Sequence, residues 1–211
     1  MLAEKYRPQR LDDIIGQDKI VNYYKKLLRE EGVLKNHYIF TGDTGIGKTS
    51  MAHAIAYEFD MCLLEYNASD DRSLNFIRET IIPSMKNTSI TGKRKLILLD
   101  ETENMLRDAL FCLRTPMERY KNAVIIFSCN NTSNIDSVKA IKSRCITFEF
   151  KKISEEDIRK RLQEIIKLEG MKVNKDIIKY ISKKAGGDLR YAINMLEEKN
   201  YSDTDEIYFL Y

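Results

Sequence analysis

Eight consecutive residues, Gly42-Asp43-Thr44-Gly45-Ile46-Gly47-Lys48-Thr49, restrict what this chain can fold into more than any other feature. They match the pattern G-x-x-x-x-G-K-[ST] in full, and that pattern functions only between an entering strand and a departing helix. Both flanks are legible: apolar Tyr38-Ile39-Phe40 leads in, and a helical run from Ser50 to Phe59 leads out. Glycines let backbone N–H groups turn inward around phosphate oxygens, and the helix N-terminus adds a favourable partial charge. In such a loop Lys48 pairs with the β- and γ-phosphates of a nucleotide and Thr49 ligates Mg²⁺.

Short apolar runs recur at Tyr38 to Phe40, Met61 to Leu64, Leu96 to Leu99, Val124 to Phe127 and Ile146 to Phe150. Each is rich in Ile, Leu, Val or Phe, and the segments between them are long enough for crossover helices. This predicts an α/β fold with a five-stranded parallel sheet covered on both faces. After Phe150 the strands stop. Ser154 followed by Glu155-Glu156-Asp157 reads as a capped helix start, Gly170 as its end, and Asn174 and Asp188 as caps of two more helices. Gly186-Gly187 makes the turn between the last two. The expected organisation is a nucleotide-binding core over 1–150, a small three-helix lid over 151–200, and an unassigned tail over 201–211.

A second chemical signal is Leu96-Ile97-Leu98-Leu99-Asp100-Glu101. Four apolar residues bury a central strand whose C-terminal end delivers two carboxylates to the edge where α/β sheets bind ligands. Asp100 is placed to hold Mg²⁺, and Glu101 to orient and activate an attacking water.

Composition narrows the alternatives. The chain is 43% hydrophobic and 32% charged, ordinary for a globular protein. A net charge of +3 is too small to imply nucleic-acid binding unless a local basic stripe supplies it. Cys62, Cys112, Cys129 and Cys145 are scattered, and with only His37 and His53 there is no zinc-ligand spacing, so reduced and mostly buried thiols are expected. His53, within the helix after the loop, reads as structural. No apolar run approaches the ~20 residues needed to span a bilayer, and the charged first ten residues do not resemble a signal peptide. A cytoplasmic or nuclear location, with no membrane partner, is the expectation.

Six further stretches follow in order around these motifs: Glu4-Lys5-Tyr6-Arg7-Pro8 with Leu11 to Gln17, Glu65 to Arg72, Arg114 to Tyr120, Ser128-Cys129-Asn130-Asn131, Ser143-Arg144-Cys145, and Gly187 to Asn194. Together they resemble the replication factor C small subunit, an AAA+ P-loop ATPase of the sliding-clamp loader family, almost from end to end of the chain. The resemblance implies that ATP packs against the opening segment, with Tyr6, Arg7, Pro8 and Ile15, and lies along the loop residues Gly42, Asp43, Thr44, Gly45, Ile46, Gly47, Lys48, Thr49 and Ser50. Asn130 would sense the γ-phosphate, and Arg144 would be an arginine finger for a neighbouring subunit's ATP. Arg190 would touch its own subunit's ATP, and Asn67 would hold Glu101 off the water until DNA arrives. Glu101, Lys48, Asn130 and Arg144 are thus the catalytic candidates, and Thr49 and Asp100 the Mg²⁺ ligands.

The same resemblance implies ATP-driven loading of a sliding clamp onto primer–template DNA during replication. Its partners would be the large subunit and other small-subunit copies, the clamp, and the DNA. Arg78 and Arg107 are the candidate contacts to the DNA backbone. Taken singly, Asn130 also reads as a turn residue, Arg144 as a surface charge, Arg190 as a helix-surface ion pair, and Arg78 and Arg107 as solvated charges. Three departures stand out. Ile81-Ile82-Pro83-Ser84-Met85 lacks the aromatic residue with which the family docks on the clamp. Glu103 stands in place of the usual aspartate, and Leu110 where a polar residue is common. The family's helical collar has no counterpart within the 211 residues. Rival readings are an ATP-binding regulatory or scaffold subunit, and another AAA+ DNA-remodelling motor.

Overall fold

The computed structural model describes residues 1–137 and 139–201. Five strands form one sheet: β1 (His37–Thr41), β2 (Cys62–Asn67), β3 (Lys95–Asp100), β4 (Ala123–Cys129) and β5 (Cys145–Glu149). The order across the sheet is β2-β3-β4-β1-β5, and every pairing is parallel. Each expected strand is present, with ends shifted by a few residues.

Alternation builds the core. Tyr38 and Phe40, Leu96 and Leu98, and Val124 and Ile126 point to one face, where the helices Asp18–Glu30 and Lys48–Glu58 contribute Tyr24, Met51 and Ile55. The intervening residues Ile39, Ile97, Leu99, Ile125 and Phe127 point to the other face, against Ile77, Ile81, Leu110 and Leu113. Side chains alternate across a strand, so burial on both faces requires runs apolar at every position. Strand β4 meets that demand throughout, with all seven residues buried. Leu110, at a position commonly polar in the family, is fully buried in this second cluster.

The register levels the strand ends. Thr41 pairs with Cys129, Leu99 with Phe127, and Asn67 with Asp100. The residues that follow β1, β3 and β4 therefore emerge side by side, and β4 lies between the loop strand and the acidic strand.

The chain forms two compact units. Pro8–Lys151 carries the sheet, while Met1–Arg7 groups with the chain from Lys152 onward. In the smaller unit, Ser154 Oγ accepts from Asp157 N–H (3.1 Å) to start the helix Glu155–Glu169, and Gly170 ends it at φ 66°. Asn174 caps Lys175–Lys184, and Asp188 Oδ1 accepts from Tyr191 N–H (2.8 Å) at the start of Leu189–Tyr201. These caps satisfy N–H groups that a helix start leaves without partners. The opening segment is tied into the same unit. Leu2 N–H donates to Glu197 (3.0 Å), the Tyr6 hydroxyl and Lys5 ammonium donate to Glu169, and Arg161 donates to the Tyr6 carbonyl (3.1 Å). The tail expected over 201–211 lies outside the described residues from 202 on.

Two expectations need correction. The helix anticipated from Ser73 to Met85 contains a π-helical segment, Ile77–Ile81, between two α-helical pieces. Pro83 explains it: a proline within a helix lacks an N–H and clashes with the carbonyl four residues back, here that of Glu79. The wider π turn accommodates both defects. Of the four thiols, only Cys129 is buried; Cys62, Cys112 and Cys145 are half-buried. Burial still pushes the Cys129 thiol up to about 11 and that of Cys145 to about 12, so neither is a thiolate near neutral pH.

Candidate nucleotide site

At the C-terminal edge of the sheet the chain turns from Thr41 into the glycine loop. Gly42 adopts φ 139°, and a Cβ there would sit 2.7 Å from the Phe150 carbonyl oxygen and 2.8 Å from Ile46 Cδ1. Only glycine fits that approach. Gly47, at φ 101°, begins the helix Lys48–Glu58. The loop thus delivers Lys48 and Thr49 to a helix N-terminus, where backbone donors and partial positive charge favour an anion.

Lys48 is 8% exposed. Its ammonium donates to the carbonyls of Gly42 (2.6 Å) and Asp43 (2.7 Å) and to Asn130 Oδ1 (3.1 Å). Burial pulls its pKa below the ordinary lysine value, while the Asp100 carboxylate opposes that shift. Thr49 Oγ1 donates to Asp100 Oδ2 (2.8 Å), and Asp100 Oδ1 accepts from Glu101 N–H (2.9 Å). A hydroxyl and a carboxylate in contact are hard oxygen donors that suit Mg²⁺, which is commonly held by one or two carboxylates together with waters and substrate phosphates. Among the described residues no group of three or more His, Cys, Asp or Glu could hold a metal by itself. The donor set therefore fits a metal that arrives with a phosphate ligand.

Glu101 occupies the left-handed region (φ 53°, ψ 40°), one of two described non-glycine residues with positive φ. Such a backbone costs energy and recurs at functional positions. Its carboxylate accepts from the Ser69 hydroxyl, and Asn104 Nδ2 donates to that hydroxyl oxygen (2.8 Å) and lies 3.5 Å from Glu101. Asn67, the residue expected to restrain Glu101, instead accepts from Ser69 N–H (2.8 Å). The restraint passes through Ser69. Thr102, fully buried, anchors the turn by donating to the carbonyls of Leu99 (3.0 Å) and Ser128 (2.7 Å). Glu103 accepts from Asn130 N–H (3.2 Å), so the longer side chain in place of aspartate reaches the residue after β4.

Lys48, Thr49, Asp100, Glu101 and Asn130 come together in the sheet unit, as do all loop residues from Gly42 to Ser50. Arg144 belongs to that unit too, but none of its bonds is to the loop or the acidic pair: it pairs with Glu118 and donates to the Ala140 carbonyl and Ser143 Oγ. Tyr6, Arg7 and the exposed Arg190 lie in the smaller unit, whereas Pro8 and half-buried Ile15 lie in the sheet unit. Arg78 and Arg107 are exposed and form no ion pair among the described residues. His53 bonds Glu65 on β2 (2.8 Å), consistent with a structural role. Ile81 and Met85, in the segment that lacks the family's clamp-docking aromatic and was expected to contact the clamp weakly, are fully buried in the core.

Sequence reasoning missed Ser69, Asn104 and Glu118, whose shortest side-chain bonds reach partners 26 or more residues away. It also missed Gln17, whose amide reaches both Ile46 and Lys151.

A family model described as "ATPase family associated with various cellular activities (AAA)" matches residues 38–169, and one for an "RCF1/5-like, AAA+ ATPase lid domain" matches residues 160–199. The chain is 38% identical over 203 residues to replication factor C subunit 4 of Saccharomyces cerevisiae, covering 92% of this chain and 62% of that protein. It is 37% identical over 202 residues to the replication factor C small subunit of Archaeoglobus fulgidus, with the same coverage. The chain thus spans about three-fifths of the length of these curated relatives. Among solved structures, a Thermotoga maritima RuvB mutant superposes with a TM-score of 0.75 at 18% identity, over 90% of this chain and 63% of that one. At that identity the likeness speaks for the fold alone.

Proposed function

Since this chain belongs to the AAA family of ATPases, we propose that it hydrolyses ATP as a small-subunit component of a sliding-clamp loader acting on primer–template DNA. The observation that carries the reading is the convergence, at one sheet edge, of the loop lysine, a Thr–Asp pair suited to Mg²⁺, a restrained glutamate and an asparagine bonded to the lysine. The relatives' names point to replication factor C, and the six-motif resemblance points the same way.

Each residue has a derivable task. Lys48 exchanges its bonds to the Gly42 and Asp43 carbonyls for phosphate oxygens. Thr49 and Asp100 hold Mg²⁺, which when bound offsets phosphate charge and polarises the γ-phosphoryl group. Glu101 leaves Ser69 to orient the water. Asn130, bonded to Lys48 through Oδ1 and to Glu103 through N–H, registers displacement of the lysine. Arg144, released from Glu118, neutralises charge at a neighbouring copy's ATP, a contribution of about a thousandfold or more. Tyr6, Arg7, Pro8 and Ile15 pack the base, and Arg190 reports the nucleotide to the lid. Arg78 and Arg107 take DNA phosphates, sequence-independent contacts that weaken with salt. No helix among the described residues is long and apolar enough to cross a membrane, and a nuclear or cytoplasmic site of action follows from the replication reading.

ATP turnover by the purified chain, alone and with primer–template DNA, tests the proposal, with Lys48→Ala and Glu101→Gln as controls. Tight Mg·ATP binding, slow basal turnover, stimulation by DNA and loss in both variants are expected. Binding without turnover under any condition would favour the regulatory-subunit reading instead, and absence of ATP binding would overturn both.

A further inference from the structure

Gln17 is 4% exposed and lies just before the helix Asp18–Glu30. Its side-chain amide joins three segments far apart in sequence. Nε2 donates to the Ile46 carbonyl within the glycine loop (3.3 Å) and to the Lys151 carbonyl (2.7 Å), while Oε1 accepts from Lys151 N–H (3.1 Å). Both amide hydrogens and the amide oxygen are thereby used. Of the side chains, only a primary amide offers two donors and an acceptor in this form, and asparagine is one methylene shorter. The same junction is tightened nearby, where Phe150 N–H donates to the Thr41 carbonyl (2.7 Å) and Gly42 packs on the Phe150 carbonyl.

The Ile46 bond has a consequence for the loop. A trans peptide is planar, so its C=O and N–H point in opposite directions. Holding the Ile46 carbonyl toward buried Gln17 turns the Gly47 N–H the other way, out of the core. Lys151, held at both its N–H and its C=O, is the last residue of the sheet unit before the chain crosses to the smaller one.

We propose that Gln17 is a positioning residue of the nucleotide site: it orients the Ile46–Gly47 peptide for phosphate binding and couples the loop to the chain crossing at Lys151. The phosphate part rests on the ATPase reading above; the coupling part does not. Gln17 touches no substrate in this role and acts through the loop backbone.

The test uses the full chain with Gln17→Leu, which keeps side-chain bulk and removes all three bonds. A second variant, Gln17→Glu, keeps an acceptor for Lys151 N–H but sets a carboxylate against the Ile46 and Lys151 carbonyls. Lys151 amide exchange and the Gly47 amide chemical shift are read without nucleotide, and Mg·ATP affinity by calorimetry. In Gln17→Leu, the Gly47 resonance should move and Lys151 exchange should accelerate while β3 amides stay protected, and ATP affinity should fall roughly tenfold, the equivalent of about 1.4 kcal/mol. In Gln17→Glu, the Gly47 resonance should move while Lys151 stays protected, a split that general loosening of the fold would not produce. It serves as the deciding variant if Gln17→Leu fails to fold. An unmoved Gly47 resonance and an ATP affinity within twofold of wild type in the folded variants would overturn the proposal. If the wild-type chain itself binds no ATP, the ATPase reading fails, and the two amide readouts still decide whether Gln17 couples the loop to Lys151.

Discussion

Replacing Ser69 with alanine should make the enzyme faster. The Ser69 hydroxyl donates to the Glu101 carboxylate, and Asn104 braces that hydroxyl from 2.8 Å. If Glu101 must leave this bond to orient water, the bond stabilises the resting state and adds to the barrier. A hydrogen bond to a charged group contributes about 1.5–3 kcal/mol net. Ser69 is exposed, so water replaces much of it, and about 1 kcal/mol is a reasonable share. Removed from the barrier, this corresponds to roughly a fivefold rise in turnover. Asn104 at 3.5 Å is too distant to take over. The assay is phosphate release at saturating Mg·ATP, with and without primed DNA, alongside ATP affinity and thermal midpoint. The rise should be largest without DNA, because activation by DNA is expected to break the same bond. The double variant Ser69→Ala/Glu101→Gln should be inactive, showing that the gain passes through Glu101. Unchanged or lower turnover in Ser69→Ala, at unaltered affinity and midpoint, would refute the reasoning.

Gly42→Ala forces a methyl group against the Phe150 carbonyl at 2.7 Å in a positive-φ backbone; a loss of about 2 kcal/mol or more in urea unfolding is expected, with ATP binding abolished. His37 is buried, accepts at Nδ1 from Ile125 N–H (2.9 Å) and bonds the Met117 carbonyl through Nε2 (3.1 Å), which requires the neutral ring. Burial lowers its pKa from 6.5, so the unfolded chain binds the proton more readily. Its contribution is complete above pH 6.5 and is lost progressively as the pH falls below it, and His37→Gln should flatten urea stability measured between pH 8 and 5. Arg144→Ala and Glu101→Gln chains should each bind ATP and turn it over negligibly, while a mixture should recover part of the activity if the finger acts between copies; no recovery at assembling concentrations would place Arg144 outside the reaction.

Whatever depends on neighbours along the chain could be read from the sequence. Short continuous apolar runs marked all five strands, Ser154, Gly170, Asn174 and Asp188 marked helix ends, and the glycine loop and the Asp100-Glu101 pair could be placed at the ends of their strands. Each such signal arises from a backbone preference or a local hydrogen bond, so a short window contains its cause. Pro83 was visible as well, but whether the helix would break, kink or widen into a π turn depended on tertiary packing, with Ile77 and Ile81 at the two ends of the π turn and Met85 beyond the proline all buried. Tertiary structure alone decided the contacts that tune the site. Ser69 rather than Asn67 restrains Glu101, Glu118 holds Arg144, Met1–Arg7 packs with the chain beyond Lys152, and Gln17 joins Ile46 to Lys151. These partners are separated by 26 to 195 residues, and a side-chain hydrogen bond between distant residues leaves no periodicity behind. Its donor and acceptor meet only after strand pairing and helix packing have brought the distant segments together.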